Sequence, residues 1–150
     1  MSGSILVTGG AGYIGSHTVV ALLERGFDVV VADDLSNSSE ESIERVKAIT
    51  GRDVAFEKVD LVDIDALRKV FASYQITGAI HFAGLKAVGE SVDQPLRYYR
   101  NNLVSTMNLL DVMAEYEAWD LVFSSSATVY GDPEVLPIPE GAKTGATNPY

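Results

Sequence analysis

Apolar residues recur along this chain in two alternating rhythms. Short runs rich in β-branched residues alternate with longer stretches in which apolar residues return every three or four positions. Ile5–Val7 reads as a strand and Ser16–Arg25 as a helix closed by Gly26. Asp28–Ala32 is an apolar run with β-branched residues, hence a buried strand. Ser38–Thr50 reads as a helix with Gly51 past its end, and Val54–Val59 as a strand. Asp63–Tyr74 reads as a helix with Asp63 as its cap, and Gly78–Phe82 as a strand. Asp93–Glu117 reads as one long helix. Asp93 stands near its cap and Pro95 in its first turn, where a missing N–H costs little. Leu121–Ser124 reads as a strand, after which Gly131, Pro133, Pro137, Pro139 and Gly141 mark an irregular segment. Alternation of this kind predicts an α/β fold with a doubly wound parallel sheet, order 3-2-1-4-5. The sequence stops at Tyr150 in a loop, so we expect residues 1–150 to be one incomplete, truncated domain with a C-terminal remainder and substrate domain elsewhere.

The sharpest signal is Thr8-Gly9-Gly10-Ala11-Gly12-Tyr13-Ile14-Gly15. It follows the first strand and opens an amphipathic segment, His17 to Arg25. Glycines let a backbone turn tightly and approach a diphosphate, and a helix N-terminus offers unpaired N–H groups and the positive end of a dipole. Asp33 and Asp34 follow about 20 residues beyond the glycines, where a carboxylate accepts ribose hydroxyls and repels a 2′-phosphate. Together these predict a Rossmann-like domain that binds a dinucleotide, with Asp33 favoured for the ribose because it lies nearest the strand end.

Composition narrows the partners. With 11 basic against 21 acidic residues the formal charge is −10, so no nucleic acid and no anionic membrane surface is expected as partner. The chain has no cysteine, which removes disulfides and thiolate metal sites and suits a cytoplasmic protein. No signal peptide and no run of membrane-spanning length is seen. His17 and His81 are the two histidines; with no paired-His spacing, no metal site is expected.

Other candidates follow the remaining strands. Asp60 and Leu61 stand at the rim after the third; Asp60 either meets an adenine amino group or forms a turn. Phe82-Ala83-Gly84-Leu85-Lys86 follows the fourth, with small residues that let the backbone pass a dinucleotide and Lys86 as a point charge toward ribose or diphosphate. Ser124-Ser125-Ser126 ends the fifth, where open α/β sheets place ligands, although serines also cap and turn. Tyr130 and Tyr150 are the nearby phenols. Tyr98-Tyr99, at helical spacing among apolar neighbours, reads as core or interface.

Thr8-Gly9-x-x-Gly12-x-x-Gly15 resembles the glycine signature of the extended short-chain dehydrogenase/reductases. The strings Phe82 to Ser91 and Phe123 to Gly131 resemble, more narrowly, the UDP-glucose 4-epimerase (UDP-galactose 4-epimerase) branch of that family. Related nucleotide-sugar dehydratases usually carry an acidic pair where this chain has Ala127-Thr128. Asn148-Pro149-Tyr150 looks like the start of the family's Tyr-x-x-x-Lys motif, whose lysine falls beyond this sequence. The resemblance implies Tyr150 and Ser126 as catalytic residues. It implies an NAD site drawn from Gly9, Gly12, Tyr13, Ile14, Gly15, Asp33, Asp34, Asn37, Ser38, Asp60, Leu61, Phe82, Ala83, Gly84, Lys86, Asn101, Ser124 and Tyr150. Lys86, Ser126 and Tyr150 would also touch the sugar nucleotide.

The reaction implied is NAD-dependent interconversion of UDP-galactose and UDP-glucose, in galactose metabolism, by C4 oxidation, rotation of the 4-keto sugar and re-reduction. Tyr150 would take the 4-hydroxyl proton, and Ser126 would hydrogen-bond the same oxygen. A free phenol has a pKa near 10, so a base of this kind needs a nearby positive charge, supplied in the family by the lysine and the nicotinamide. The chain as written is therefore expected to be inactive alone and to self-associate through an uncovered edge at Leu121–Ser124. In the family the helix matching 93–117 and the Tyr-Lys helix also form a homodimer contact. Two alternatives stay open: another NAD-dependent nucleotide-sugar dehydratase or decarboxylase, and a non-catalytic NAD-binding module.

Overall fold

A computed structural model describes residues 3–150. Five strands, β1 (Ser4–Thr8), β2 (Val29–Asp33), β3 (Ala55–Lys58), β4 (Ile76–His81) and β5 (Asp120–Phe123), form one parallel sheet in the order β3-β2-β1-β4-β5. The predicted architecture and strand order are both observed. The helices are α1 (Tyr13–Glu24), α2 (Glu41–Thr50), α3 (Ile64–Ser73), α4 (Val88–Asp93) and α5 (Pro95–Glu115).

Period-two alternation within the central strands divides the core into two layers. Leu6 and Val30 turn to one face, where they pack with Leu67, Val70 and Phe71 of α3 and Leu109, Val112 and Met113 of α5. Their neighbours Val7 and Val31 turn to the other face, against Val19 and Leu23 of α1 and Ile43 and Val46 of α2. Helices α3 and α5 thus share one side of the sheet, as right-handed crossovers require. They are also tied at the surface, where the Arg68 guanidinium grips Glu115 through two donors at 2.9 and 2.6 Å and reaches Asp65 at 2.9 Å.

Several element boundaries differ from the sequence reading. The long helix of residues 93–117 is two helices. The chain breaks at Gln94 (φ −130, ψ 56), and Pro95 is the first residue of α5. Asp93 therefore ends α4 and is not the cap of α5. Helix α1 starts at Tyr13, directly after the glycine turn, and α2 starts at Glu41, because Ser39 accepts the Glu41 and Ser42 N–H groups in a turn. Asp33 lies inside β2 and Ser124 lies just past β5. Strand β4 begins at Ile76, earlier than expected, with a register irregularity between Ser4 and Ile5. At the sheet edge Val122 and Phe123 are 60% and 54% exposed.

The Asp63 cap is as expected. Its Oδ1 accepts the Asp65 and Ala66 N–H groups at 3.1 and 3.0 Å. Asp63→Ala removes both bonds and is expected to lower the unfolding free energy by about 1 kcal/mol, read as a shift of the denaturant midpoint.

Candidate functional site

All five strands run parallel, so the segments that follow them gather at one rim of the sheet. Most of the candidate residues sit in these segments. The turn after β1 is held by backbone contact. Gly9 has φ +66, and a Cβ on it would stand 2.7 Å from the Ala83 N, while a Cβ on Gly15 would stand 2.2 Å from the Gly9 carbonyl oxygen. No side chain caps α1 and no acidic residue stands in its first turn, which leaves the first-turn N–H groups of Tyr13, Ile14 and Gly15 open to an anion. The glycines are thus required by backbone packed on backbone, and the N–H groups left open beside them fit a diphosphate.

Asp33 is 7% exposed and strongly engaged. Its Oδ2 accepts the Ala11 N–H at 2.9 Å, and its Oδ1 accepts the Leu35 N–H at 2.9 Å and the Ser38 hydroxyl at 2.7 Å. The carboxylate thus fastens the glycine turn to the segment after β2, where Leu35 takes a positive φ of 61. Ser38 acts here on Asp33. Asp34 is exposed and accepts the Ser36 N–H at 2.8 Å, and Asn37 is exposed beside it. Asp60 forms a turn by accepting the Val62 N–H at 2.9 Å. The Leu61 side chain lies in the core, which leaves its main chain as the group available to a ligand.

After β4, Phe82 is half-buried and packs on the α1–α2 side of the core, while Gly84 and Lys86 are exposed. Asn101 donates to Asn102 Oδ1 at 3.0 Å. Ser126 and Tyr150 line one hollow of about 340 Å³ together with Thr128 and Asn148. Ser126 Oγ pairs with Thr128 Oγ1 at 2.8 Å and accepts the Thr128 N–H at 3.1 Å, and the Tyr150 N–H is held by Asn148 Oδ1 at 3.0 Å. Ser124 stands apart from this hollow; its N–H continues the sheet ladder to the His81 carbonyl at 3.1 Å.

Beneath the rim lies a polar chain that sequence reasoning did not assign. Thr8 Oγ1 contacts His81 Nδ1 at 2.6 Å, and His81 Nε2 contacts Thr106 Oγ1 at 3.1 Å. Thr106 spends its hydroxyl proton on the Asn102 carbonyl at 2.7 Å, so its oxygen receives the His81 Nε2–H. Nδ1 then accepts from Thr8, whose oxygen takes the Ala83 N–H at 3.4 Å. These partners assign the ring as the neutral Nε2–H tautomer. His81 is 2% exposed and stacks on Phe123 at 5.8 Å, and burial pushes its pKa down from 6.5 to about 4. Asn102 and Asn108 were missed too. Asn108 Nδ2 donates to the Leu61 and Val62 carbonyls at 2.8 and 2.9 Å, clamping the segment after β3.

Residues 6–150 match the family model described as GDP-mannose 4,6 dehydratase. The chain is 57% identical to the UDP-glucose 4-epimerase of Schizosaccharomyces pombe, over 99% of this chain and 43% of that protein. It is 60% identical to the UDP-glucose 4-epimerase of Bacillus subtilis, over 98% of this chain and 43% of that protein. The crystal structure of UDP-glucose 4-epimerase from Bifidobacterium longum, in complex with NAD+ and UDP, superposes with a TM-score of 0.95 at 52% identity. That match covers 98% of this chain and 44% of the other. The chain therefore spans less than half the length of the relatives it matches.

Between pH 6.5 and 4 the unfolded chain takes up a proton at His81 that the folded chain refuses. Stability from this group is thus intact above pH 6.5 and falls as pH drops toward 4, by on the order of 3 kcal/mol. The expected observation is a steeper acid loss of unfolding free energy in wild type than in His81→Gln. The His81 ring should also keep the Nε2–H signature by nitrogen NMR from pH 8 to 5; a ring titrating near 6.5 would contradict the assignment.

Proposed function

The chain belongs to the family whose model, described as GDP-mannose 4,6 dehydratase, covers residues 6–150, and from that premise we propose that it forms the NAD-binding half of a UDP-glucose 4-epimerase. The observation that carries this reading is the joint placement of two features at one rim. One is the glycine turn with its open helix N-terminus, and the other is the hollow in which Ser126 and Tyr150 meet. Relatives named UDP-glucose 4-epimerase at 57% and 60% identity support the substrate class, UDP-galactose and UDP-glucose. Neighbouring structures solved with NAD support the cofactor.

In this reading the N–H groups of α1 and the Gly9–Gly15 turn hold the diphosphate, and Lys86 adds a positive charge. Asp33 receives an adenosine ribose hydroxyl on the one Oδ2 lone pair that its three protein donors leave over. NAD held there would supply the hydride acceptor and donor for C4 of the hexose. Tyr150 takes the proton of the 4-hydroxyl and later gives it back. Ser126 hydrogen-bonds the same oxygen, which orients the sugar and stabilises the charge that develops there. The family's dehydratases are the second reading, favoured by the description of the family model. Against it, Ala127 and Thr128 stand where an acid would be needed, and the Thr128 hydroxyl is paired with Ser126.

A homodimer and a cytoplasmic location belong to the same proposal. Leu96, Tyr99, Leu103, Met107 and Leu110 are 46–65% exposed and form a stripe along α5 at helical spacing, the natural contact for a second copy. The cysteine-free composition needs no oxidising compartment.

The complete protein, given UDP-galactose, is expected to form UDP-glucose with NAD present. A 4-keto-6-deoxy product would establish the dehydratase reading instead. Ser126→Ala should lower kcat by about 10²-fold, the scale of losing one donor to a developing oxyanion, and Ser124→Ala by much less. The reverse ranking would move the role to Ser124.

Cofactor choice is a separate check. NAD+ is expected to bind more tightly than NADP+, because the Asp33 carboxylate repels a 2′-phosphate, and Asp33→Ala should narrow that gap while weakening NAD+ itself. Equal affinity of wild type for the two, by calorimetric titration, rules out the ribose role of Asp33.

A further inference from the structure

Residues 82–87, between β4 and α4, are tied down at alternate positions. The Ala83 N–H is held by Thr8 Oγ1 at 3.4 Å. The Leu85 N–H is held by Asn102 Oδ1 at 2.8 Å, and the Leu85 carbonyl receives Asn102 Nδ2 at 2.8 Å. The Ala87 N–H is held by the Tyr98 hydroxyl at 3.2 Å. Between these anchors Gly84 and Lys86 are exposed. The residues on either side of Lys86 are therefore both held by their backbones, which fixes the main chain of Lys86 while its side chain stays exposed.

The anchors are themselves fixed. Tyr98 is 1% exposed and spends its hydroxyl proton on Glu90 at 2.7 Å, which leaves its oxygen to accept from Ala87. Asn102 accepts from the N–H and donates to the carbonyl of one residue, Leu85, a match that a carboxamide makes and a carboxylate cannot. Its Oδ1 also receives Asn101 Nδ2 at 3.0 Å, and its carbonyl receives Thr106, the residue that holds His81.

We propose that Asn102 and Tyr98 are positioning residues that hold the backbone of Lys86 so that its ammonium group faces the anion cradle at the N-terminus of α1. This rests on the reading of Lys86 as a cofactor residue. A lysine on a free loop would lose loop and side-chain freedom on binding; here the loop is already held, so only the side-chain part of that cost remains.

The test is a double-mutant cycle on the complete protein, read as the rate at which bound NAD+ is released. Lys86→Met is expected to speed release about 10-fold, the scale of one charge-assisted hydrogen bond. Asn102→Ala and Tyr98→Phe are each expected to speed it by roughly 3- to 10-fold in the Lys86 background and by less than about 2-fold in the Lys86→Met background. Each should also flatten the salt dependence of release as Lys86→Met does. Tyr98→Phe keeps the buried ring and carries the test if Asn102→Ala fails to fold. Effects that simply add to that of Lys86→Met, or no effect in the Lys86 background, overturn the positioning role. If Lys86→Met itself leaves release unchanged, the cofactor reading of Lys86 falls, a different and separable failure.

Discussion

The contact on which the rim depends is one of backbone against backbone: Gly15 lies on the Gly9 carbonyl so closely that a Cβ would stand 2.2 Å from that oxygen. This proximity brings the start of α1 directly over the end of β1. Gly9 in turn lies against Ala83 and Phe82, so the segments after β1 and β4 are packed directly on each other. The Asp33 carboxylate adds the segment after β2 by taking the Ala11 N–H. Three neighbouring loops are thus fixed to each other without a ligand, and the open N–H groups of α1 point from a rigid base.

Helix α5 does for the other half of the rim what the glycines do for the first. Its core-facing stripe runs through Tyr98, Asn102, Ser105, Leu109 and Val112. The lower part of that stripe is apolar and packs on the sheet, whereas the upper part is polar and reaches the loops. Asn102 holds the segment after β4 and Asn108 the segment after β3. Between them Thr106 connects to His81 at the end of β4. A buried amide or imidazole is costly unless every donor and acceptor is met, and here the bonds that meet them also fix the loops.

The layer order was legible because buried parallel strands and amphipathic helices write different periods into the sequence. The break at Gln94 was not, since Pro95 suits the first turn of a helix whether or not another helix precedes it. The spacing of Asp33 from the glycines pointed to it as a candidate, but its three protein donors depend on Leu35 taking a positive φ and on Ser38 turning back, neither of which has a sequence period. Asn102 left a readable trace: an asparagine within a helical core stripe must find partners, and the nearest unpaired backbone lies in the loop beyond the strand it packs on. His81 left less, because an isolated histidine in a strand looks the same whether it is a strut or a filler. Ser126 and Tyr150 do share a hollow, although they come from the irregular segment where periodicity says nothing.

The charge of the chain bears on how such a site can work. With a net charge of −10, the long-range field repels the anionic ligands proposed for it. Attraction must then come from groups close enough to outweigh that field within a screening length of about 8 Å at physiological salt. The first-turn N–H groups of α1 meet that requirement, being fixed dipoles that cost no reorganisation when the anion arrives. A mobile surface lysine would not, since ordering it takes back part of what its charge gives. An acidic protein of this kind therefore places a premium on preorganisation. The hydrogen bonds from Asn102, Tyr98 and Asn108 that hold the loops of this half of the rim serve that preorganisation.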